Sequence, residues 1–320
     1  MRMANRAMSK KKKGNPVHGW VILDKPVGIT STQAVAAVRR IFDAQKAGHA
    51  GTLDPLATGI LAIALGEATK TVPFVQDAPK IYRFTATWGE SRDSDDAEGK
   101  VTGTSPARPT ADQITAMLPR FTGALTQVPP AYSAIKVAGE RAYDLAREGA
   151  EVVLEARTVQ VYEARLLAAN PDSAEFEILC GKGTYVRSWV RDIALALGTL
   201  GYVSALRRTR LGGFTEKDAT PLESLTPFMH SPAAFAYLKP LSTALDGIPA
   251  LAVTGSDTAR LRSGNPILIR ANLFARLKDG FAGDDGFQGQ TVFLKDEADG
   301  PVALAEIADG ELRPFRVFQL

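Results

Sequence analysis

The chain alternates between short stretches of period-two hydrophobicity and short helical stripes. Val17 to Leu23 reads as a strand, closed by the turn Asp24-Lys25-Pro26-Val27-Gly28. Ser31 or Thr32 is placed to cap a helix whose apolar positions include Val35, Val38, Ile41 and Phe42. Ala57 to Leu65 is a continuous run of small and apolar residues, which fits a buried helix or a buried strand equally well. Lys80 to Gly89 alternates and is rich in aromatic and β-branched residues, so it predicts a strand. On that strand Tyr82 shares a face with Lys80 and Phe84, not with Arg83.

Further along, Thr110 caps a predicted helix over Ala111 to Leu118, and Gln127 to Pro130 is an extended or turn segment. Tyr143 to Arg147 reads as a short helix. Val159 to Leu167 and Ala174 to Cys180 read as strands. Between Gly183 and Gly198 the period changes to that of a helix, with Val186, Val190, Ile193 and Leu197 on one face and Gly198 as the stop. Tyr202 to Arg208 follows. Near Pro240 to Pro249 the texture becomes that of a linker. Beyond it come a strand at Leu251 to Val253, a capped helix at Ser256 to Leu261, and short strands at Ile267 to Ile269, Thr291 to Leu294, Val302 to Ile307 and Arg316 to Phe318. Strands and helices mixed without regular βα spacing predict an α+β fold over a doubly wound parallel sheet.

Composition narrows the function classes. The 320 residues are 45% hydrophobic and 23% charged, enough for a well-formed core. The net charge of +3 is only weakly basic, so a polyanion-binding surface needs its positive charge collected on one face. A single cysteine, Cys180, excludes an internal disulfide and a cysteine-rich zinc site. The three histidines, His18, His49 and His230, form no metal-binding pattern. No glycine-rich phosphate loop of either common type is present, so no cofactor and no metal are expected. Ser133 lacks the elbow motif of a serine hydrolase. The basic start, up to Lys10 to Lys13, has no apolar core and reads as a flexible arm over residues 1–16. No apolar run approaches ~20 residues, so the cytoplasm is the expected setting.

Asp54 stands in Gly51-Thr52-Leu53-Asp54-Pro55, where a glycine permits unusual geometry and a proline restrains the aspartate before it. A carboxylate held on such a turn can act as nucleophile or base. A turn aspartate bound to backbone amides is the plainer reading of these residues by themselves. Tyr185 and Arg187 stand at the entrance of the helix after Gly183. There Arg187 is able to pair with an aspartate from another segment, while a core tyrosine and a solvated helix arginine are the plainer reading of these residues by themselves. Lys80, Arg83, Lys136, Arg141, Arg207, Arg208 and Arg210 are the candidates for phosphate contacts, with a solvated face as the plain alternative.

The run "GTLDPLATGILAIALGEATK" resembles the catalytic motif of the bacterial tRNA pseudouridine-55 synthase family, the TruB family. "DKPVGITS", "KIYRFTATWG" with "DSDDAEG", "PPAYSAIKVAGERAYDLAREG", "CGKGTYVRSWVRDIALALG" and "ALRRTRLGGF" resemble its other blocks. The resemblance spans roughly residues 17 to 230 and continues more loosely to the C-terminus. It implies a pseudouridine-synthase fold with a mixed, mostly antiparallel sheet over residues 17–240. A small β-rich, PUA-like RNA-binding domain over 241–320 is implied as well. The implied reaction is the isomerisation of uridine 55 in the tRNA T-loop by base flipping.

Residue by residue, Asp54 matches the family's catalytic aspartate and Tyr82 the tyrosine that stacks on the target base and is the suspected acceptor of its C5 proton. Arg187 matches the arginine paired with the aspartate. Tyr185 and Leu206 match residues of the base pocket, and His49 the histidine that reaches into the T-loop. Lys25 and Lys136 match basic positions of two blocks, and Arg207 and Arg208 are taken as substrate-binding. The layout resembles the stand-alone bacterial type. The T-arm of tRNA is therefore the expected partner, with no guide RNA, no obligate protein partner, no membrane and a monomeric state. Two alternatives stay open: a tRNA-folding chaperone of the same fold, and a synthase acting on another RNA.

Overall fold

A computed structural model describes residues 14–133, 135–137, 140–141, 154–271, 273–274, 277 and 288–320. The first strand, β1 (Gly19–Lys25), leads through the "DKPVG" turn to helix α1 (Ser31–Ile41). The cap is Thr30, one residue earlier than expected. Its hydroxyl accepts from Gln33 N while the Gln33 side chain accepts from Thr30 N, a reciprocal capping box. Ser31 is thereby released for another task, described below.

After β2 (Ala47–His49), the ambiguous apolar run resolves as a strand, β3 (Thr58–Leu65). All but its first residue are buried, because both of its faces are covered. A helix α2 (Val72–Asp77) precedes β4 (Lys80–Trp88), whose burial alternates as the sequence pattern requires. There follow β5 (Glu90–Arg92), β6 (Val101–Thr104), α3 (Ala111–Met117) and β7 (Gly123–Gln127). Two short strands come next, β8 (Lys136–Val137) and β9 (Glu140–Arg141). Then come β10 (Arg157–Asn170), β11 (Ser173–Cys180), α4 (Val186–Ala196), β12 (Gly201–Leu211), β13 (Phe214–Thr215) and β14 (Thr220–Pro221). The helix expected at Tyr143 to Arg147 lies outside the described residues, as do residues 1–13 of the basic arm and most of the Gly280 to Gly289 loop. Asn15 is held in place, its N–H donating to Asp43 O.

Ten of these strands form one sheet in the order β14-β1-β3-β12-β4-β11-β10-β7, with β2 on β3 and β13 on β12, while β5–β6 and β8–β9 pair separately. Only β1–β14 and β3–β12 pair in parallel, so the sheet is mixed and mostly antiparallel. Helices α1 and α4 cover one face. There Phe84, Phe176 and Trp189 meet with ring centroids 5.2–5.5 Å apart.

The C-terminal part builds a second, five-stranded sheet, β15-β17-β18-β19-β16, the PUA-like unit. Its strands are β15 (Ala250–Ala252), β16 (Ile267–Leu268), β17 (Thr291–Lys295), β18 (Pro301–Ala308) and β19 (Glu311–Val317). Phe293, Leu304 and Phe318 of this part pack with Trp20, Ile22, Ile60 and Ala62 on the second face of the main sheet. Lys70 Nζ donates to Val317 O at 2.6 Å and Gln319 N to Glu67 Oε2 at 2.9 Å across the same junction. Among the described residues no helix is long and apolar enough to cross a membrane.

Candidate active site

The loop from Ala50 to Ala57 carries Asp54 between β2 and β3, and it is tied down at three points. Ser31, buried at the start of α1, receives a hydrogen bond from Leu53 N at 2.8 Å and donates to Leu53 O at 2.9 Å. Lys25, fully buried, donates from Nζ to the carbonyls of Pro26, Ile29 and Pro55. Arg208 Nη2 donates to Gly51 O at 3.1 Å. Gly51 takes a φ of +92°, which explains the glycine. Gly59, with a φ of +93°, lies so close to Arg208 O that a Cβ would come within 2.3 Å of it.

Arg187, in the first turn of α4, reaches this loop. Its Nη2 lies 3.0 Å from Asp54 Oδ2 and its Nη1 3.3 Å from Asp96 Oδ2. The same guanidinium donates to Ser94 O at 2.9 Å and Tyr132 O at 2.8 Å. The arginine is only 4% exposed in its side chain, whereas Asp54 keeps 33% exposure toward the clefts beside it. Burial pushes the Asp54 carboxyl above the ordinary carboxylate range, and Asp96 adds to the push. Arg187 and, more weakly, Lys25 oppose it. The arginine expected to pair with Asp54 divides its charge between two carboxylates, so its hold on Asp54 is partial.

Two cavities meet at Asp54. One, of about 590 Å³, is lined by Tyr82, Tyr185, Leu206, Arg208 and Lys80, besides Asp54 and Arg187. The other, of about 640 Å³, is acidic and is walled by Asp93, Asp96 and Glu98. Tyr82 is buried to 8% exposure on β4, opposite Arg208 of β12. Its Oη accepts a long hydrogen bond, 3.4 Å, from Arg208 Nη1, and burial raises its phenol above the usual value. Tyr185 precedes α4, its backbone N–H and C=O both held by the Gln127 side chain, and its ring meets Arg157 at 5.0 Å. Leu206 is 8% exposed and lines the same space.

Other expected residues are placed differently. Arg207, Arg208 and Arg210 do not form one basic face: alternation puts Arg207 and Arg208 on opposite sides, and a register shift between Arg208 and Arg210 leaves Arg210 exposed while Arg208 is buried. Arg207 is ion-paired with Asp24, both oxygens at 2.9 Å, and with Glu216 at 2.6 Å, so its charge is already met. Arg208 is 1% exposed, Lys80 7%, and Lys25 is buried within its loop, which removes all three from any solvated phosphate-binding surface. Arg83 stays exposed but pairs with Glu177 at 2.7 Å. His49 lies on β2, opposite Ile63 and outside the walls of both cavities. The side chain of Lys136 lies outside the described residues. Asp96 is the residue that sequence reasoning missed. A signal was available in the crowding of Asp93, Asp95, Asp96 and Glu98 within one short stretch.

Residues 39–186 match the model of the TruB family pseudouridylate synthase N-terminal domain. Residues 187–246 match that of the tRNA pseudouridylate synthase B C-terminal domain. The chain belongs to the TruB family. Among its relatives is tRNA pseudouridine synthase B of Bradyrhizobium diazoefficiens, 51% identical over all of this chain and 93% of the relative. The protein of that name from Caulobacter sp. strain K31 is 52% identical, over 98% of this chain and all of the relative. Of solved structures, a chain of a Cbf5–Nop10–Gar1 complex matches with a TM-score of 0.70 at 25% identity, covering 98% of this chain and 92% of that one. A chain of an H/ACA ribonucleoprotein bound to a substrate RNA containing 2′-deoxyuridine shares the fold, with a TM-score of 0.70 at 23% identity over 99% and 93% of the two chains. In this TruB-family chain the two matched models meet inside the first turn of α4, so the Asp54–Arg187 pair joins one model to the other.

Proposed function

We propose that this chain converts a uridine of tRNA, at position 55 in the T-loop, to pseudouridine, with Asp54 as the reacting carboxylate. The observation that carries the proposal is the Asp54–Arg187 pair, 3.0 Å apart, at the edge of a cavity of about 590 Å³. That volume is within the usual range for a small-molecule site, about 300–1,000 Å³, and suits an extruded nucleotide. The bacterial relatives near 50% identity are called tRNA pseudouridine synthase B, whereas identity to chains of the H/ACA assemblies is 23–25%. This supports an enzyme that works alone on tRNA, without guide RNA.

Uridine carries its base on C1′ through N1, and pseudouridine through C5. The N1–C1′ bond breaks, the base turns, the C5–C1′ bond forms, C5 loses a proton and N1 gains one. No net oxidation occurs. The target base must first leave its stack, a cost of a few kcal/mol that pocket contacts offset. In this reading the Tyr82 ring and Leu206 hold the flipped base, and stacking of this kind contributes ~1–3 kcal/mol. Tyr185 lines the pocket beside them. Asp54 attacks C1′, removes a ribose proton, or adds to C6 of the base. Tyr82, or a water beside it, takes the C5 proton. His49 and Lys136 are assigned to the RNA outside the pocket. Lys25 and Arg208 act from within the protein, by holding the Asp54 loop.

The purified protein alone, incubated with unmodified tRNA, should yield pseudouridine at position 55 on mapping by mass spectrometry or carbodiimide primer extension. Product at another uridine, or none without added RNA or protein, overturns the substrate assignment. Affinity for tRNA should fall steeply with salt. About four phosphate contacts correspond to a loss of about 100-fold between about 50 and 200 mM. A flat salt titration by filter binding would remove the electrostatic part of this reading.

A further inference from the structure

Two cations that line the Asp54 cavity, Arg208 and Lys80, have no carboxylate partner among the described residues. Arg208 donates to Ile60 O at 2.7 Å, to Gly51 O and to Tyr82 Oη. Lys80 Nζ donates to the carbonyls of Gln76 and Ala78, both at 2.7 Å. All of these partners are neutral, and neither side chain makes an ion pair with a carboxylate among the described residues. Asp77 acts on Lys80 through space, but it is paired with Lys182 at 2.8 Å. Burial pushes the neighbouring Cys180 thiol up to about 11, so it stays neutral. Lys25, the other buried lysine, differs in having Asp54 and Glu98 acting on it. A buried cation without a counterion costs several kcal/mol. Here the strain is visible, since burial first and Arg208 second pull the Lys80 ammonium down to about 8. Both residues border the cavity together with Asp54, Tyr82 and Leu206.

We propose that Arg208 and Lys80 form a cationic floor that stabilises negative charge on the substrate base while its bond to the ribose is moved. The inference rests on the synthase reading above, and it does not depend on the order of the covalent steps. Attack of Asp54 on C1′ breaks the N1–C1′ bond and leaves its electron pair on the base. Removal of the C2′ proton expels the base with the same pair and leaves a C1′–C2′ double bond. Addition of the carboxylate to C6 places the pair in an enolate over C5, C4 and O4. The base therefore carries negative charge from cleavage of the N1–C1′ bond, or from addition at C6, until C5 bonds to C1′, and again from loss of the C5 proton until N1 takes one. Fixed cations in a water-poor site act on such charge far more strongly than in water, and losing one such group typically slows a reaction by about 10²–10³-fold.

Four variants of the full chain test this: Arg208→Met, Arg208→Lys, Lys80→Met and Lys80→Arg, each checked by thermal melting. With enzyme in excess over an unmodified T-arm stem-loop, each Met variant should turn over about 100-fold more slowly. RNA affinity should stay within about twofold, and the charge-keeping variants should recover most of the rate. The groups facing Lys80 are Arg208, Cys180, Asp77 and Lys182, with Tyr82 beside it on β4. A lysine pulled down is charged below its pKa and neutral above it. Thus kcat/KM should fall above pH of about 8, and Lys80→Arg should move that limb upward.

The second readout uses 5-nitrouracil, whose absorption distinguishes neutral from ionised base, and it needs no turnover. Wild type should favour the bound anion at least ~10-fold more than water does, and Lys80→Met and Arg208→Met should lose that preference. An inactive wild type that still binds the anion fails the synthase reading and leaves the floor standing. An active wild type that binds only the neutral probe, or none, overturns the floor. So does a rate loss traced to RNA affinity with a salt slope lower by about one, the mark of a phosphate contact. Failure of the charge-keeping variants at both positions assigns the residues to loop support and also overturns it.

Discussion

Asp54→Asn is expected to slow pseudouridine formation by on the order of 10⁴-fold or more, a loss typical of a removed nucleophile. RNA affinity should change by no more than about twofold, because Asp54 is proposed to act on the nucleoside and not on the phosphates. The fold should be unharmed. Asp54 titrates above its unfolded value, so protonation favours the folded state. That contribution is complete below the unfolded pKa and is lost as pH rises through the folded one. At neutral pH the ionised carboxylate therefore costs stability, and a neutral amide of the same shape removes the cost while Arg187 keeps Asp96 as partner. A melting temperature at or above that of wild type is the expected result, and a clear drop would contradict it. In wild type the acid limb of kcat/KM should lie above the ordinary carboxylate range, since only the ionised form reacts. Substantial turnover by Asp54→Asn would end its assignment as the reacting group.

Arg187→Met should affect both stability and chemistry. The guanidinium pairs with Asp54 and Asp96 and serves the carbonyls of Ser94 and Tyr132. Its loss leaves two neighbouring carboxylates facing each other and removes the hydrogen bonds it gives to Ser94 O and Tyr132 O. Removing one partner of a buried pair typically costs about 3–5 kcal/mol, a large share of the stability of a domain. A urea-unfolding midpoint close to wild type would contradict this. Pairing the change with Asp96→Asn should restore part of the loss, because one of the exposed charges disappears. The same variant should raise the Asp54 carboxyl further, moving the acid limb of the rate profile toward higher pH. If Arg187→Met leaves that limb in place, the arginine does not act through Asp54.

The motif around Asp54 was legible because its chemistry is local. Gly51 and Gly59 each meet a backbone demand that shows in the residue type itself, through a positive φ and, at Gly59, a close approach. The alternation over Lys80 to Gly89 correctly placed Tyr82 on the buried face with Lys80 and Phe84. The Thr110 cap and the Val186, Val190, Ile193 stripe were equally readable, as both depend on neighbours within a turn or two. Asp96 was not. Its partner Arg187 is far away in the chain, and nothing within the acidic loop says which carboxylate receives it.

Sequence alone thus determined the family, the turn that carries Asp54 and the faces of the regular strands and helices. The tertiary structure decided what had no local signature. It made Ala57 to Leu65 a strand, because α1 covers one face of β3 and the C-terminal sheet the other, so no polar side remained to show a period. It turned three of the basic residues inward. Lys25 became a clamp for the Asp54 loop, and Lys80 and Arg208 became buried cations lining the cavity beside Asp54. Whether a basic side chain meets water, a carboxylate or only carbonyl oxygens depends on which strands lie beside it. That is settled by sheet order and register, not by the residue or its neighbours in sequence.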